Sequence, residues 1–73
     1  KYSNEFEIVA RLREVGITYD EISKYCTEEN MKYVAAMLRY VDRQHKKGKV
    51  KDICRYVRTG LMTKEYDVDE YKS

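Results

Sequence analysis

From Met31 onward the apolar residues Met31, Val34, Ala35, Leu38 and Val41 recur at intervals of three and four, a spacing that continues to His45. That period is the period of an α-helix, so one stripe of a single long helix has to be buried against other elements. The helix is expected to begin near Thr27, which stands before Glu28 and Glu29 as a cap followed by acids in the first turn. It is expected to run into the basic stretch Arg43 to Lys51. Beside the apolar stripe lies a second row, Tyr33, Met37 and Tyr40, and opposite both lie Lys32, Arg39 and Arg43.

The flanking segments supply the partners such a helix needs. Between Asn4 and Val15, the residues Ile8, Val9, Leu12 and Val15 share a helical face, with Phe6 at its edge and Glu7, Arg11 and Glu14 opposite. Gly16 then ends that helix, because it can adopt the left-handed conformation after the last turn. Thr18 and Glu21 stand three apart as a capping box, and Ile17 and Ile22 bracket it as a hydrophobic staple. Gly48 closes the long helix, with Lys46 and Lys47 at the negative end of its dipole. Asp52 caps a fourth helix in which Ile53, Val57 and Leu61 face inward and Lys51, Arg55 and Arg58 face out.

Pro is absent and Gly is confined to three positions, which suits short helices joined by brief turns rather than a sheet. The expected fold class is all-α, a compact bundle of about four helices. Residues 1–73 form one domain, with a core over 1–62 and an acidic, tyrosine-rich tail or short docked helix over 63–73. At 73 residues the chain is near the size at which a single core is only just sufficient.

Several function classes find no support. The chain has one histidine, His45, and no arrangement of nucleophile, base and orienting acid around it, so no enzyme and no cofactor is expected. Cys26, Cys54 and His45 are too few and too scattered for a structural zinc site. Asp67, Asp69 and Glu70 alternate in a way that suggests calcium, but the glycine and bidentate glutamate of an EF-hand loop are missing, and a solvated tail is the simpler reading. The two cysteines are read as reduced thiols, a disulfide between them being the alternative. No apolar run is long enough for a membrane span and no signal peptide is evident, so a soluble, cytoplasmic module is expected. Because the chain opens on Lys1, it is read as a piece of a longer protein, and whether that full-length protein is oligomeric is left open.

Charge is unevenly placed. Residues 31–60 hold nine Lys and Arg against two acids, a net +7, whereas residues 1–30 carry −3 and residues 61–73 carry −2. Arg43, Lys46, Lys47, Lys49 and Lys51, continued by Arg55 and Arg58, are the candidates for contact with phosphates or an acidic protein surface. A solvated helix end followed by a loop would look the same. Tyr33, Met37 and Tyr40 are either ordinary core or, if exposed, an aromatic and methionine patch able to anchor a protein interface or stack on unpaired bases. Their burial decides between the two.

The helix Asn30-Met31-Lys32-Tyr33-Val34-Ala35-Ala36-Met37-Leu38-Arg39-Tyr40-Val41 resembles the C-terminal helix of DnaD-type replication initiation proteins, in which a Tyr is followed four residues later by an aliphatic residue. The segment Gly16 to Ile22 resembles that family's entry into its short helix, and the likeness spans roughly Phe6 to His45. The architecture is also similar to the C-terminal domains of RepA-type plasmid replication initiators of Gram-positive bacteria. Lys49 to Val57 looks like the basic loop and tyrosine helix of replisome organisers. The DnaD pattern places a tryptophan where this chain has Val41, which moves the expectation from direct DNA contact towards docking on a protein.

The resemblance therefore implies a C-terminal domain of a plasmid replication initiator that recruits a host replication protein, such as primase or a helicase loader. The alternative is a helical domain of a primosome or replisome-organiser protein that binds single-stranded or non-specific DNA itself through the same basic residues.

Overall fold

Asn4 starts the first helix, α1 (Glu5–Val15), by accepting the backbone N–H of Glu7 on its side-chain oxygen at 2.9 Å. Glu5 and Glu7 lie in its first turn, where the helix dipole favours negative charge. Gly16 ends it at φ 110°, its N–H donating to the Arg13 carbonyl at 3.1 Å. That position disfavours a side chain twice over. The backbone is left-handed, and a Cβ would lie 3.1 Å from Cys54 Sγ. These contacts come from a computed structural model, which describes residues 2–64.

The second helix, α2 (Tyr19–Tyr25), opens with both halves of the expected capping box. Thr18 Oγ1 accepts the Glu21 N–H at 3.1 Å, and the Glu21 carboxylate accepts the Thr18 N–H at 3.0 Å. Ile17 and Ile22 are both buried, as a staple requires.

The long helix starts later than its sequence pattern suggests. Thr27 makes no side-chain cap; a single 3-10 turn, Glu28–Asn30, intervenes, and α3 runs from Met31 to Lys46. Asn30 Nδ2 reaches back to the Tyr25 carbonyl at 3.1 Å, so the start of α3 is tied to the end of α2 across a corner only a tight turn can negotiate. At its other end α3 stops at Lys46, and Gly48 turns the chain at φ 79°. Asp52 then caps α4 (Ile53–Thr63) by accepting the Arg55 N–H at 3.1 Å.

The described residues thus form an all-α bundle of four helices with α3 at its centre. All six residues from Tyr33 to Leu38 are buried, so this stretch of α3 is enclosed around its whole circumference rather than along one stripe, although Lys32 just before it is exposed. Ile8 and Leu12 of α1 and Val57 and Leu61 of α4 complete the core around it. A side chain such as Leu12 or Leu38, removed from water this fully, stabilises the fold by about 1.5–3 kcal/mol. Two expectations for the margins of this core are corrected. Phe6, placed at the edge of the buried face of α1, is 82% exposed, and the stripe of α3 ends at Val41 because His45 lies beyond the packed part of the helix and is exposed.

The acidic tail or short helix expected beyond Lys64, with Asp67, Asp69 and Glu70, lies outside the described residues.

Candidate functional site

The last turn of α3 supplies Arg43 and Lys46, the connecting turn supplies Lys47, Lys49 and Lys51, and the first turn of α4 supplies Arg55. All six are exposed. What holds this corner in shape is Val50, which is buried and therefore anchors the turn between two lysines that both remain in solvent. The cap at Lys47 with the turn at Gly48 fixes where α3 stops, and the cap at Asp52 fixes where α4 starts.

Lys46, Lys47, Lys49, Lys51 and Arg55 make no ion pair with any described residue. Asp52, the acid nearest in sequence, spends a carboxylate oxygen on the N-terminus of α4. The corner therefore concentrates positive charge at the junction of two helices, and it can hold an anionic surface through side chains that lose no internal bond in doing so.

Arg58 differs from these five in having an ion-pair partner on another helix. Its Nε donates to Glu21 Oε2 at 2.5 Å and its Nη2 to Glu21 Oε1 at 3.1 Å, a two-pronged grip that fastens α4 to the start of α2. The guanidinium, helped by the Thr18 N–H, holds the Glu21 carboxyl down at about 2. The same carboxylate raises the Arg58 pKa. The outward position of Arg58 on α4 is thus met by a residue from another helix while part of the side chain stays in solvent.

Of the two readings open for the row Tyr33, Met37 and Tyr40, burial selects the core for its first two members. Tyr33 is 3% exposed and Met37 is fully buried, while Tyr40 is half-buried and packs against the same core. α4, α1 and the 3-10 turn Glu28–Asn30 pack against α3 so widely that a second row beside the apolar stripe becomes interior. Neither Tyr33 nor Met37 can anchor a partner or stack on a base.

One cluster has no signal in the sequence. The Tyr2 hydroxyl donates to Asp42, and Arg11 Nη2 donates to the other carboxylate oxygen of Asp42 at 2.9 Å while Nη1 pairs with Glu14. Burial first, and then the neighbouring Asp42 carboxylate, push the Tyr2 hydroxyl up to about 12. The cluster straps the start of the chain and α1 to α3, and it borders an open cleft of about 660 Å³ that Phe6 and His45 also line. Tyr2 and Asp42 are forty positions apart, so no local pattern could have paired them.

Both cysteines are free thiols. Burial pushes Cys26 up to about 11, which keeps it protonated and unreactive. Among the described residues no three His, Cys, Asp or Glu side chains are grouped to hold a metal ion, and no helix is long and apolar enough to cross a membrane. Compared with protein-family models, curated proteins and solved structures, the chain matches none of them.

Proposed function

We propose that this chain is a non-enzymatic binding module of the replication-initiator type, similar to a DnaD C-terminal domain. In that role it recruits a cytoplasmic host replication protein, such as primase or a helicase loader, by setting the α3–α4 corner against an acidic surface. The observation that carries the reading is the corner itself: five exposed cations without an ion pair among the described residues, on a turn pinned by buried Val50.

With Tyr33 and Met37 in the core, docking rests on charge. Such contacts act mainly by steering encounter and fixing orientation, and they weaken as salt rises. A recruiting step needs an encounter of this kind rather than a permanent complex.

The same burial favours a second reading, in which the corner holds nucleic-acid phosphates. Contact with a phosphate backbone needs cations and needs no apolar anchor. Stacking of Tyr33 on single-stranded bases is no part of it.

The experiment compares the full chain with a Lys49→Glu, Lys51→Glu variant for binding to purified primase, to a helicase loader and to labelled duplex and single-stranded DNA at low salt. Charge-dependent binding to the protein, with DNA ignored, supports recruitment. Binding to DNA alone supports the second reading, and unaltered binding by the variant removes the corner from either.

A further inference from the structure

We propose that the open cleft between α1 and α3, with Phe6 on its rim, receives the α3–α4 corner of a second copy of this chain, the two copies being related by a two-fold axis. Phe6 is the most exposed large apolar side chain among the described residues, and Ala10, one turn further along α1, is exposed beside it. The cleft they border also takes in Glu7, Glu14 and Asp42, with Arg11 as the cation among its described lining. Three carboxylates against one guanidinium leave a net −2 while His45, which faces them from α3, is neutral. Arg11 is already shared between Glu14 and Asp42, and the Glu7 carboxylate has only the N–H and hydroxyl of Ser3 as donors.

An exposed aromatic ring beside an excess of carboxylates suits a long cationic side chain: the acids meet its charge, and the ring and Ala10 cover its aliphatic stem. The chain carries such side chains itself, at the corner, where Lys46, Lys47, Lys49, Lys51 and Arg55 have no ion pair among the described residues. The two patches adjoin, and this selects a second copy as the occupant. His45 lines the cleft, and Lys46, the next residue of α3, begins the corner. Glu14 stands two residues before Gly16, which lies against Cys54 in the first turn of α4. A surface with an acidic half next to a basic half complements itself after rotation by half a turn. Each corner then meets the other copy's cleft, both charge excesses are met at once, and the assembly closes at two.

Each exposed ion pair formed this way is individually weak and is screened by salt, so the pair of chains is a transient dimer, oriented by charge and anchored by Phe6. The inference asks of the corner only that it be basic and exposed, so it does not rest on the recruiting role given to the corner above.

The test is sedimentation velocity of the full chain over a concentration series reaching millimolar. At low salt a monomer–dimer equilibrium is expected, moving to monomer as salt is added. Phe6→Ser is expected to weaken the dimer by about tenfold or more, through the apolar area no longer buried, and to leave the melting temperature unchanged. Glu7→Lys with Glu14→Lys, and separately Lys46→Glu, Lys47→Glu and Lys49→Glu together, are each expected to abolish it. An equimolar mixture of these two charge-reversed chains is expected to dimerise again, because each then complements the other. A chain that stays monomeric at low salt, an assembly that grows past two, a dimer that survives either charge reversal, or a mixture that stays monomeric would overturn the inference. The recruiting role is read from primase, helicase loader and DNA instead, so the two can fail independently.

Discussion

Tyr33 donates its hydroxyl hydrogen to the backbone carbonyl of Gly60 at 2.9 Å, joining the start of α3 to the end of α4 across twenty-seven positions of sequence. The same carbonyl accepts the Lys64 N–H at 3.0 Å, within α4's own ladder. A tyrosine ring can therefore sit in the interior at 3% exposure with its polar tip satisfied. Surface docking and core packing compete for this ring, and the carbonyl of Gly60 decides for the core.

Removal of the hydroxyl alone is the milder perturbation. Tyr33→Phe leaves Gly60 still accepting from Lys64, so the expected loss of stability is about 0.5–1.5 kcal/mol. Tyr33→Ala empties a core position as well, with an expected loss of about 3–5 kcal/mol. Urea unfolding of both variants checks the order. A Tyr33→Ala protein as stable as the parent would mean the ring is not in the core.

What the sequence makes legible is what a residue settles with neighbours a few positions away. Asn4, Thr18 and Asp52 each cap through an N–H three residues on, and Gly16 ends α1 through a carbonyl three residues back, so spacing alone points to them. The exposed corner is legible for the same reason, since charge density is local. Arg58 with Glu21, Tyr2 with Asp42, and Tyr33 with Gly60 are not, because helical periodicity says which face is apolar and not which helix arrives there. Thr27 shows the limit even for caps: it has the right residue type, but Asn30 ties the corner to Tyr25 and postpones the helix.

Gly16 and Gly48 both have positive φ but stand in different surroundings. A Cβ at Gly48 meets nothing within 4 Å, so Gly48→Ala incurs only the left-handed backbone cost, about 1–2 kcal/mol. Gly16→Ala incurs a similar cost and also a 3.1 Å approach to Cys54 Sγ, so its loss is expected to be larger. Combining Gly16→Ala with Cys54→Ala removes the sulfur and should bring the loss down towards that of Gly48→Ala. Thermal unfolding of the three variants tests this, and a double variant no better than Gly16→Ala alone would refute the steric explanation.

Glu21 makes stability depend on pH in a direction that follows from its partners. Its carboxyl lies at about 2 in the folded chain against an ordinary value of 4.5. The stabilisation it gives is therefore complete above about 4.5 and disappears as pH falls through about 2. Glu21→Gln keeps a group able to close the capping box but gives up the charge. Melting temperatures of parent and variant should differ most near neutral pH and converge on acidification towards pH 2; a gap of constant size across that range would show that the Arg58 pair contributes nothing through charge.

Arg58 and Lys51 should separate cleanly in binding, although both were candidates for the basic surface. Lys51 is exposed without an ion pair among the described residues, whereas Arg58 is held by Glu21 through two hydrogen bonds. Each cation that contacts a duplex phosphate contributes roughly 0.9 to the slope of log affinity against log salt. On the second reading, in which the corner holds phosphates, Lys51→Ala should therefore flatten that slope by about this amount with little change in melting temperature, as expected of an exposed side chain. Arg58→Ala should lower the melting temperature, because α4 loses its fastening to α2, and should leave the slope unchanged. Fluorescence anisotropy on labelled duplex across a salt series reads one quantity and thermal unfolding the other. An Arg58→Ala variant that keeps its melting temperature but flattens the slope would place Arg58 at the binding surface and reverse the assignment made from its contact with Glu21.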